Sequence, residues 1–227
     1  HISFTGSEAV GIKIQAAAAK NVVPVTLELG GKSPQIVFDD ADVEAALPYL
    51  VNSGIQNAGQ TCSAASRILI QKSVFNKVKD LMGKKYSTLR VGPAIDDLDL
   101  GPLISNRQKE IVLNFLEVGK NLKVVAKGSI SQNAPETGFY IQPTLFEDVP
   151  YNHKLAQEEI FGPIQVLIPF DTEEEAIHIA NSTSFGLVAS IWTNDGARQM
   201  RMAKKLKCGQ VFINNYGAGG GVELPFG

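Results

Sequence analysis

Cysteine is almost absent from this 227-residue chain: Cys62 and Cys208 are its two thiols. They lie far apart and match no metal-ligand spacing, which excludes a disulfide framework and a cysteine zinc site. Such sparing use of sulfur fits a reducing compartment, and a cytoplasmic location is expected. Histidine is nearly as scarce. His1, His153 and His178 do not cluster, so no metal site is expected. Long apolar runs are lacking too: Ala16–Ala19 is closed by Lys20 and Asn21, and nothing approaches the roughly 20 residues that span a bilayer. Neither sign of charge dominates. With 21 Lys and Arg against 23 Asp and Glu, the net charge is −2, giving no reason to expect a nucleic acid or an anionic membrane as partner.

What is present is ordinary soluble-protein composition, 44% hydrophobic and 19% charged, in a length that supports one large or two small domains. Short β-type runs alternate with helical ones. "HISF" precedes Thr5-Gly6-Ser7 and a helix from Glu8 to about 20. "VTLEL" (25–29), "SPQIVF" (33–38) and "RILIQ" (67–71) read as strands, with a helix over about 42–57 between the last two. Ser73 is the expected N-cap of a helix over 74–88. A further helix over 105–119 leads to the strand "LKVVAKG" (122–128), and "FYIQPTLFEDV" reads as extended. "PIQVLIPF" (163–170) is followed by Thr172 and Glu175, a T-x-x-E capping box. A strand (187–193), a helix (195–206) and a strand (209–214) close the series. This alternation predicts an α/β fold with a mainly parallel sheet. The start at His1 and the close at "ELPFG" do not resemble a natural domain boundary, so a piece of a longer chain is expected.

Four stretches could carry chemistry. In "FTGSEAVG", Gly6 and Gly11 flank a helix start after a strand, where backbone N–H groups favour a phosphate; Ser7 could cap the helix or donate to a phosphate oxygen. In "LELGGKSP", Glu28 ends an apolar strand before two glycines, where a partly desolvated carboxylate can act as a base. "GQTCSA" sets Cys62 among Gly59, Gln60, Thr61 and Ser63, a small polar loop rather than an apolar face. A reactive thiol needs a cation, a donor or a base nearby, and no histidine is at hand. In "EEIFGP", Glu159 and Phe161 stand at a loop mouth, where a carboxylate can accept two ribose hydroxyls and an aromatic can flank a flat ring. Cys208, between a helix and a buried-looking strand, reads as structural.

Taken in order, "FTGS…G", "LELGGKSP", "GQTCSA", "EEIFGP", "NSTSFGL" and "ELPFG" resemble the NAD(P)-dependent aldehyde dehydrogenase superfamily over nearly the whole chain. The resemblance implies oxidation of an aldehyde to a carboxylic acid, with NAD or NADP as cofactor. Cys62 matches the nucleophile that forms a thiohemiacetal and then a thioester. Glu28, 34 residues earlier, matches the base that activates the hydrolytic water. Gly6, Ser7 and Gly11 match the turn that meets the pyrophosphate, Glu159 the carboxylate on the nicotinamide ribose, and Phe161 the aromatic beside it. Leu29 and Gly30 would lie against the nicotinamide. Asn181, Phe185, Gly186 and Leu187 match a structural pattern.

The resemblance also divides the chain: residues 1–30 as the remnant of a cofactor-binding domain, and 31–227 as a catalytic domain truncated at its C-terminal end. The complete enzyme is expected to be a homodimer or homotetramer acting on a small aldehyde, without nucleic acid, membrane or metal. An asparagine that completes the oxyanion site in this family, and the lysine that meets the adenosine ribose, lie outside the region seen here. The isolated chain is therefore expected to be nearly inactive as a dehydrogenase. Two alternatives stand beside this: a non-catalytic fragment, or an esterase using Cys62 without cofactor.

Overall fold

The computed structural model describes residues 1–217, and its first part is a strand–helix–strand unit. β1 (Ile2–Thr5) and β2 (Val25–Glu28) pair in parallel, joined by α1 (Glu8–Ala19). They form a small sheet of their own. Residues 30–33 then carry the chain into a larger sheet.

That sheet has seven strands: β3 (Pro34–Val37), β4 (Arg67–Gln71), β6 (Lys123–Lys127), β8 (Thr144–Glu147), β9 (Ile164–Phe170), β10 (Val188–Trp192) and β11 (Gln210–Ile213). Their order is β11-β10-β3-β4-β9-β8-β6, parallel throughout except for the antiparallel pair β6–β8. β5 (Arg90–Val91) and β7 (Ser129–Ile130) form a third, minimal sheet. The expected α/β class with a mainly parallel sheet holds. β3, β4, β9 and β10 are buried almost end to end, as near-continuous Val/Ile/Leu runs demand when both faces of a parallel sheet are covered. The outer strand β6 carries Lys123 and Lys127 and is largely exposed, which discourages pairing with another chain.

The flanking helices are α2 (Val43–Ile55), α3 (Phe75–Thr88), α4 (Asn106–Val118), α5 (Lys154–Gln157), α6 (Glu173–Ala180) and α7 (Gly196–Lys205). Side chains start most of them: Asp42 accepts from the Ala45 N–H (3.0 Å), Ser105 from Gln108 (3.2 Å) and Thr172 from Glu175 (3.2 Å). The Glu175 carboxylate reaches back to the Asp171 N–H at 2.7 Å, one residue before the cap. Ser73 departs from expectation. A 3-10 turn at Lys72–Val74 precedes α3, and the Ser73 hydroxyl donates to Asp39 (3.2 Å) instead of capping the helix. "FYIQPTLFEDV" is a strand only over Thr144–Glu147, and the short α5 was not foreseen.

Two glutamines sit inside the apolar core. Gln35 donates to the Tyr49 carbonyl (3.1 Å) and the Ser53 hydroxyl (2.7 Å) and accepts from the Trp192 indole (2.8 Å). Gln165 donates to the Leu50 and Ala65 carbonyls (2.9 and 2.6 Å) and accepts from Tyr86. Both amides are satisfied, which is the condition for burying them. Through Leu50, Ser53 and Ala65 they tie α2 and the entry to β4 to the sheet.

Candidate active site

Between the end of α2 and the start of β4 the chain turns sharply, with Asn57 (φ 51°), Ala58 (φ 54°) and Gly59 (φ 74°) all left-handed. At Gly59 only glycine fits: a Cβ there would collide with the Gly162 carbonyl. This presses the cysteine loop against the loop that carries Phe161. Gln60 fixes the next step, donating to the Asn57 carbonyl (2.9 Å) and accepting from the Ile104 N–H (2.9 Å). Beyond Cys62 the Tyr216 hydroxyl donates to the Ser63 carbonyl. Cys62 is thus half-buried on a loop clamped at both ends.

The Gly30–Gly31 step, leaving β2, supplies the opposite wall. A Cβ on Gly31 would overlap the Cys62 carbonyl, and one on Gly30 would stand 2.5 Å from Glu159 Oε2. Glu159 Oε1 accepts from the Gly31 N–H at 2.9 Å. Gly11 lies under Leu29, whose Cδ2 would be 2.7 Å from an added Cβ, so α1 packs closely on the end of β2.

The walls enclose a cleft of about 600 Å³, lined by Gly6, Ser7, Leu29, Gly30, Cys62, Glu159 and Phe161 among others. Seven of the nine site residues expected from the sequence therefore share one cavity. Gly11 and Glu28 are not part of its wall. Gly11 supports Leu29 from behind; Glu28 has Oε1 buried without a hydrogen-bond partner among the described residues, and its carbonyl accepts from the Gly6 N–H (2.9 Å). The cleft lies where the carboxyl ends of β1 and β2 meet the amino ends of β3, β4 and β9; its β1–β2 side is in keeping with ligand sites outside the carboxyl ends of strands in α/β folds.

Burial raises the Glu28 and Glu159 carboxyls above the ordinary glutamate value; for Glu159 the Gly31 N–H and the Lys32 charge pull the other way. Burial also pushes the Cys62 thiol up. The N–H groups of Ser63 and of Cys62 itself oppose this, while the charges of Glu159 and Glu28 add to it. As folded here, the thiol is protonated at neutral pH. Cys208 is pushed up to about 11 by burial, and its thiol donates to the Gln210 carbonyl (3.2 Å). His153 is a helix cap, its Nδ1 accepting from the Leu155 N–H (3.1 Å). Asn181 holds the chain after α7, donating to the Lys205 carbonyl (2.9 Å) and accepting from the Lys207 N–H (2.8 Å).

Gln108 is a cleft residue that the sequence does not single out. Its amide donates to the Ile160 and Phe161 carbonyls (3.1 and 2.9 Å), holding Phe161 in a left-handed conformation (φ 54°). No motif marks it, because its partners are backbone atoms some 50 residues away. The "GAGGG" tract beyond Gly217 and the closing "ELPFG" lie outside the described residues. Among the described residues no group of three or more His, Cys, Asp or Glu could hold a metal. No helix among them is long and apolar enough to cross a membrane.

A thiol and a burial-perturbed carboxylate, gathered where a helix start and two sets of parallel strand ends converge, define an α/β protein with a cysteine-bearing cleft. The chain belongs to the aldehyde dehydrogenase family, whose model matches residues 1–227. It is 40% identical to the betaine aldehyde dehydrogenase of Agrobacterium fabrum over 229 aligned positions, covering 100% of this chain and 46% of that protein. The NAD+ complex of a Bacillus cereus aldehyde dehydrogenase is 40% identical, with a TM-score of 0.89 over 95% of this chain and 44% of that one. A Burkholderia cenocepacia crystal structure, provisionally described as an aldehyde dehydrogenase, is 57% identical with a TM-score of 0.97, over 100% and 48% of the two chains. The chain thus spans about half the length of the relatives it matches.

Proposed function

We propose that this chain is the cysteine-bearing portion of an NAD(P)-dependent enzyme that oxidises an aldehyde to a carboxylic acid. The observation that carries this reading is the single cleft uniting Cys62 with Gly6, Ser7, Leu29, Gly30, Glu159 and Phe161. The residues fit a dinucleotide. The start of α1 offers N–H groups without intrahelical partners, and the Ser7 hydroxyl, making no capping bond, is free for a phosphate oxygen. Glu159 presents a carboxylate to a ribose diol, and Phe161 an aromatic face 37% exposed. Bound there, the nicotinamide supplies the oxidising power by taking up a hydride. Residues 1–30 belong on this reading to the cofactor-binding unit and 31–227 to the catalytic domain.

Cys62 gives up its thiol proton to solvent and Sγ attacks the aldehyde carbon, opening the C=O bond to an oxyanion that the N–H groups facing the sulfur stabilise. After oxidation the acyl group remains on Sγ as a thioester. Glu28, with its carboxyl raised by burial, takes a proton from the water that hydrolyses it, freeing the thiol and the acid. An aldehyde is the substrate, and a homodimer or homotetramer is the proposed assembly of the complete enzyme. The test needs no cofactor. An activated ester such as p-nitrophenyl acetate should acylate Cys62, seen as a mass increase that Cys62→Ala abolishes. Glu28→Gln should form the same adduct and lose it at least about a hundredfold more slowly, the low end of what a positioned base contributes. Acylation elsewhere, or deacylation indifferent to Glu28, would sink the assignment.

A further inference from the structure

Cys62 stands on a thin partition. Residues 61–64 form a turn closed by the Ala64 N–H on the Thr61 carbonyl (3.0 Å), which puts Cys62 and Ser63 at its two central positions. The central N–H groups of such a turn take no part in its closing bond, and here they are the two that face the Cys62 sulfur. On one side of the turn lies the cleft described above. On the other is a second hollow of about 360 Å³, lined by Asn52, Gln56 and Tyr216 together with Thr61 and Ser63, which border both cavities. Among the described residues, one hydrogen bond from another element reaches residues 61–63: the Tyr216 hydroxyl donates to the Ser63 carbonyl.

Tyr216 is built to hold that position. It is buried, its ring packed against Phe212 (centroids 5.9 Å apart) and clustered with Ala65 and Val188. The two residues before it are tied to β10 and the residue after it. The Asn214 amide donates to the Thr193 carbonyl and accepts from the Thr193 N–H, both at 3.0 Å. The Asn215 carbonyl accepts from the Ser190 hydroxyl (2.7 Å). The phenol thus reaches the turn from the large sheet, while Gly31 lies against the Cys62 carbonyl from the β2 side. Holding the Ser63 carbonyl fixes the orientation of that residue, and with it the aim of its N–H.

We propose that Tyr216 is a positioning residue for the cysteine turn: its hydroxyl holds the Ser63 carbonyl so that the N–H groups of Cys62 and Ser63 stay aimed at Sγ and at the oxyanion formed beside it. The part concerning the oxyanion rests on the proposed role of Cys62; the aim of the N–H groups at the sulfur does not. The charges facing that sulfur are Glu28 at the end of β2 and Glu159 before β9, and both disfavour the thiolate. The two N–H groups are what opposes them, so losing their aim has a readable effect.

Tyr216→Phe keeps the ring and removes the hydroxyl. Alkylation of Cys62 by iodoacetamide, followed against pH, should have its midpoint raised by at least about half a pH unit. Acylation by p-nitrophenyl acetate should slow by at least about tenfold, a part of the roughly 10²–10³ that full removal of such a donor costs. Tyr216→Leu, which removes the ring as well, should show the same two changes and a lower unfolding midpoint besides. A residue that only packs would leave both readouts of Tyr216→Phe at wild type and move them in Tyr216→Leu alone; that result would overturn the proposal. Should Tyr216→Phe fail to fold, Ser190→Ala, which loosens the seat of Asn215 and keeps the phenol, should raise the alkylation midpoint by a smaller step. An unchanged midpoint there overturns the proposal as well. Alkylation needs neither turnover nor cofactor, so acylation that bypassed Cys62 would count against the dehydrogenase reading and leave the alkylation profile to decide this one.

Discussion

Cys62 is held by backbone more than by side chains, and that sets how it reacts. Its thiol is raised by burial and by two nearby carboxylates, with no cation to oppose them. The thiolate fraction therefore keeps growing past the pH at which an ordinary thiol, with a pKa of about 8.5, has ionised. Alkylation by iodoacetamide should be slow at pH 7 and still accelerate above pH 9, and Glu159→Gln should shift the profile to lower pH. Cys208, pushed up to about 11 by burial, should stay unreactive from pH 7 to 9; peptide mapping separates the two. Gly31 is the residue-scale counterpart, since any Cβ there meets the Cys62 carbonyl. Gly31→Ala should cut acylation of Cys62 by roughly 10²-fold, the cost of about a 1 Å misplacement, while its effect on the unfolding midpoint stays small by comparison.

Among the elements, the contacts that lock helices to the sheet are the ones to test. Arg67 spans from β4 to the end of α6 and to the Lys32 carbonyl. Arg67→Leu would leave the Lys32 and Ala180 carbonyls without this donor, each costing about 1–3 kcal/mol, while Ile179 keeps its bonds from Ser182. Urea unfolding should show a loss of at least about 2 kcal/mol with the slope unchanged. Between α6 and α7, Arg201 grips Glu173 through two bonds of 2.9 and 2.8 Å, and the Glu173 carboxyl is held below its usual range chiefly by that contact. A depressed carboxylate stabilises the fold above the unfolded pKa of about 4.3 and loses that contribution as pH falls through the folded value. Glu173→Gln should cost about 0.5–1 kcal/mol at pH 7, and the difference from wild type should shrink as pH falls below the unfolded carboxylate range.

At the scale of the whole molecule, the cleft is bounded on one side by a two-stranded sheet whose helix exposes Val10 (42%) and Ile12 (61%). A sheet of two strands is marginal on its own. On the proposed reading, a cleft so thinly built on one side positions cofactor and aldehyde poorly, and a misplacement of about 1 Å costs on the order of 10²-fold in rate. The purified 227-residue chain, given NAD+ or NADP+ and a panel of aldehydes, should form no NAD(P)H above a Cys62→Ala blank. Signal above that blank would show the cleft to be self-sufficient.

Much of this was legible beforehand because it depends on local chemistry. Apolar runs bounded by glycine and capping residues marked β3, β4, β9 and β10. Thr172 and Glu175 announced the helix that follows them. A thiol among Gly, Gln, Thr and Ser stood out because packing has no use for it there. What sequence could not supply are relations between distant segments. Gln108 acts on carbonyls 52 and 53 residues away, Gln165 binds carbonyls 115 and 100 residues away, and Lys32 is buried only in the packed chain. Ser73 failed as a cap because Asp39, on another strand's end, offered its hydroxyl a better partner. The sequence by itself determined the fold class and which side chains could do chemistry, since periodicity and residue type act over a few residues. Only the tertiary structure decided which of them meet, and at what protonation state, because burial and charge proximity are properties of the packed chain.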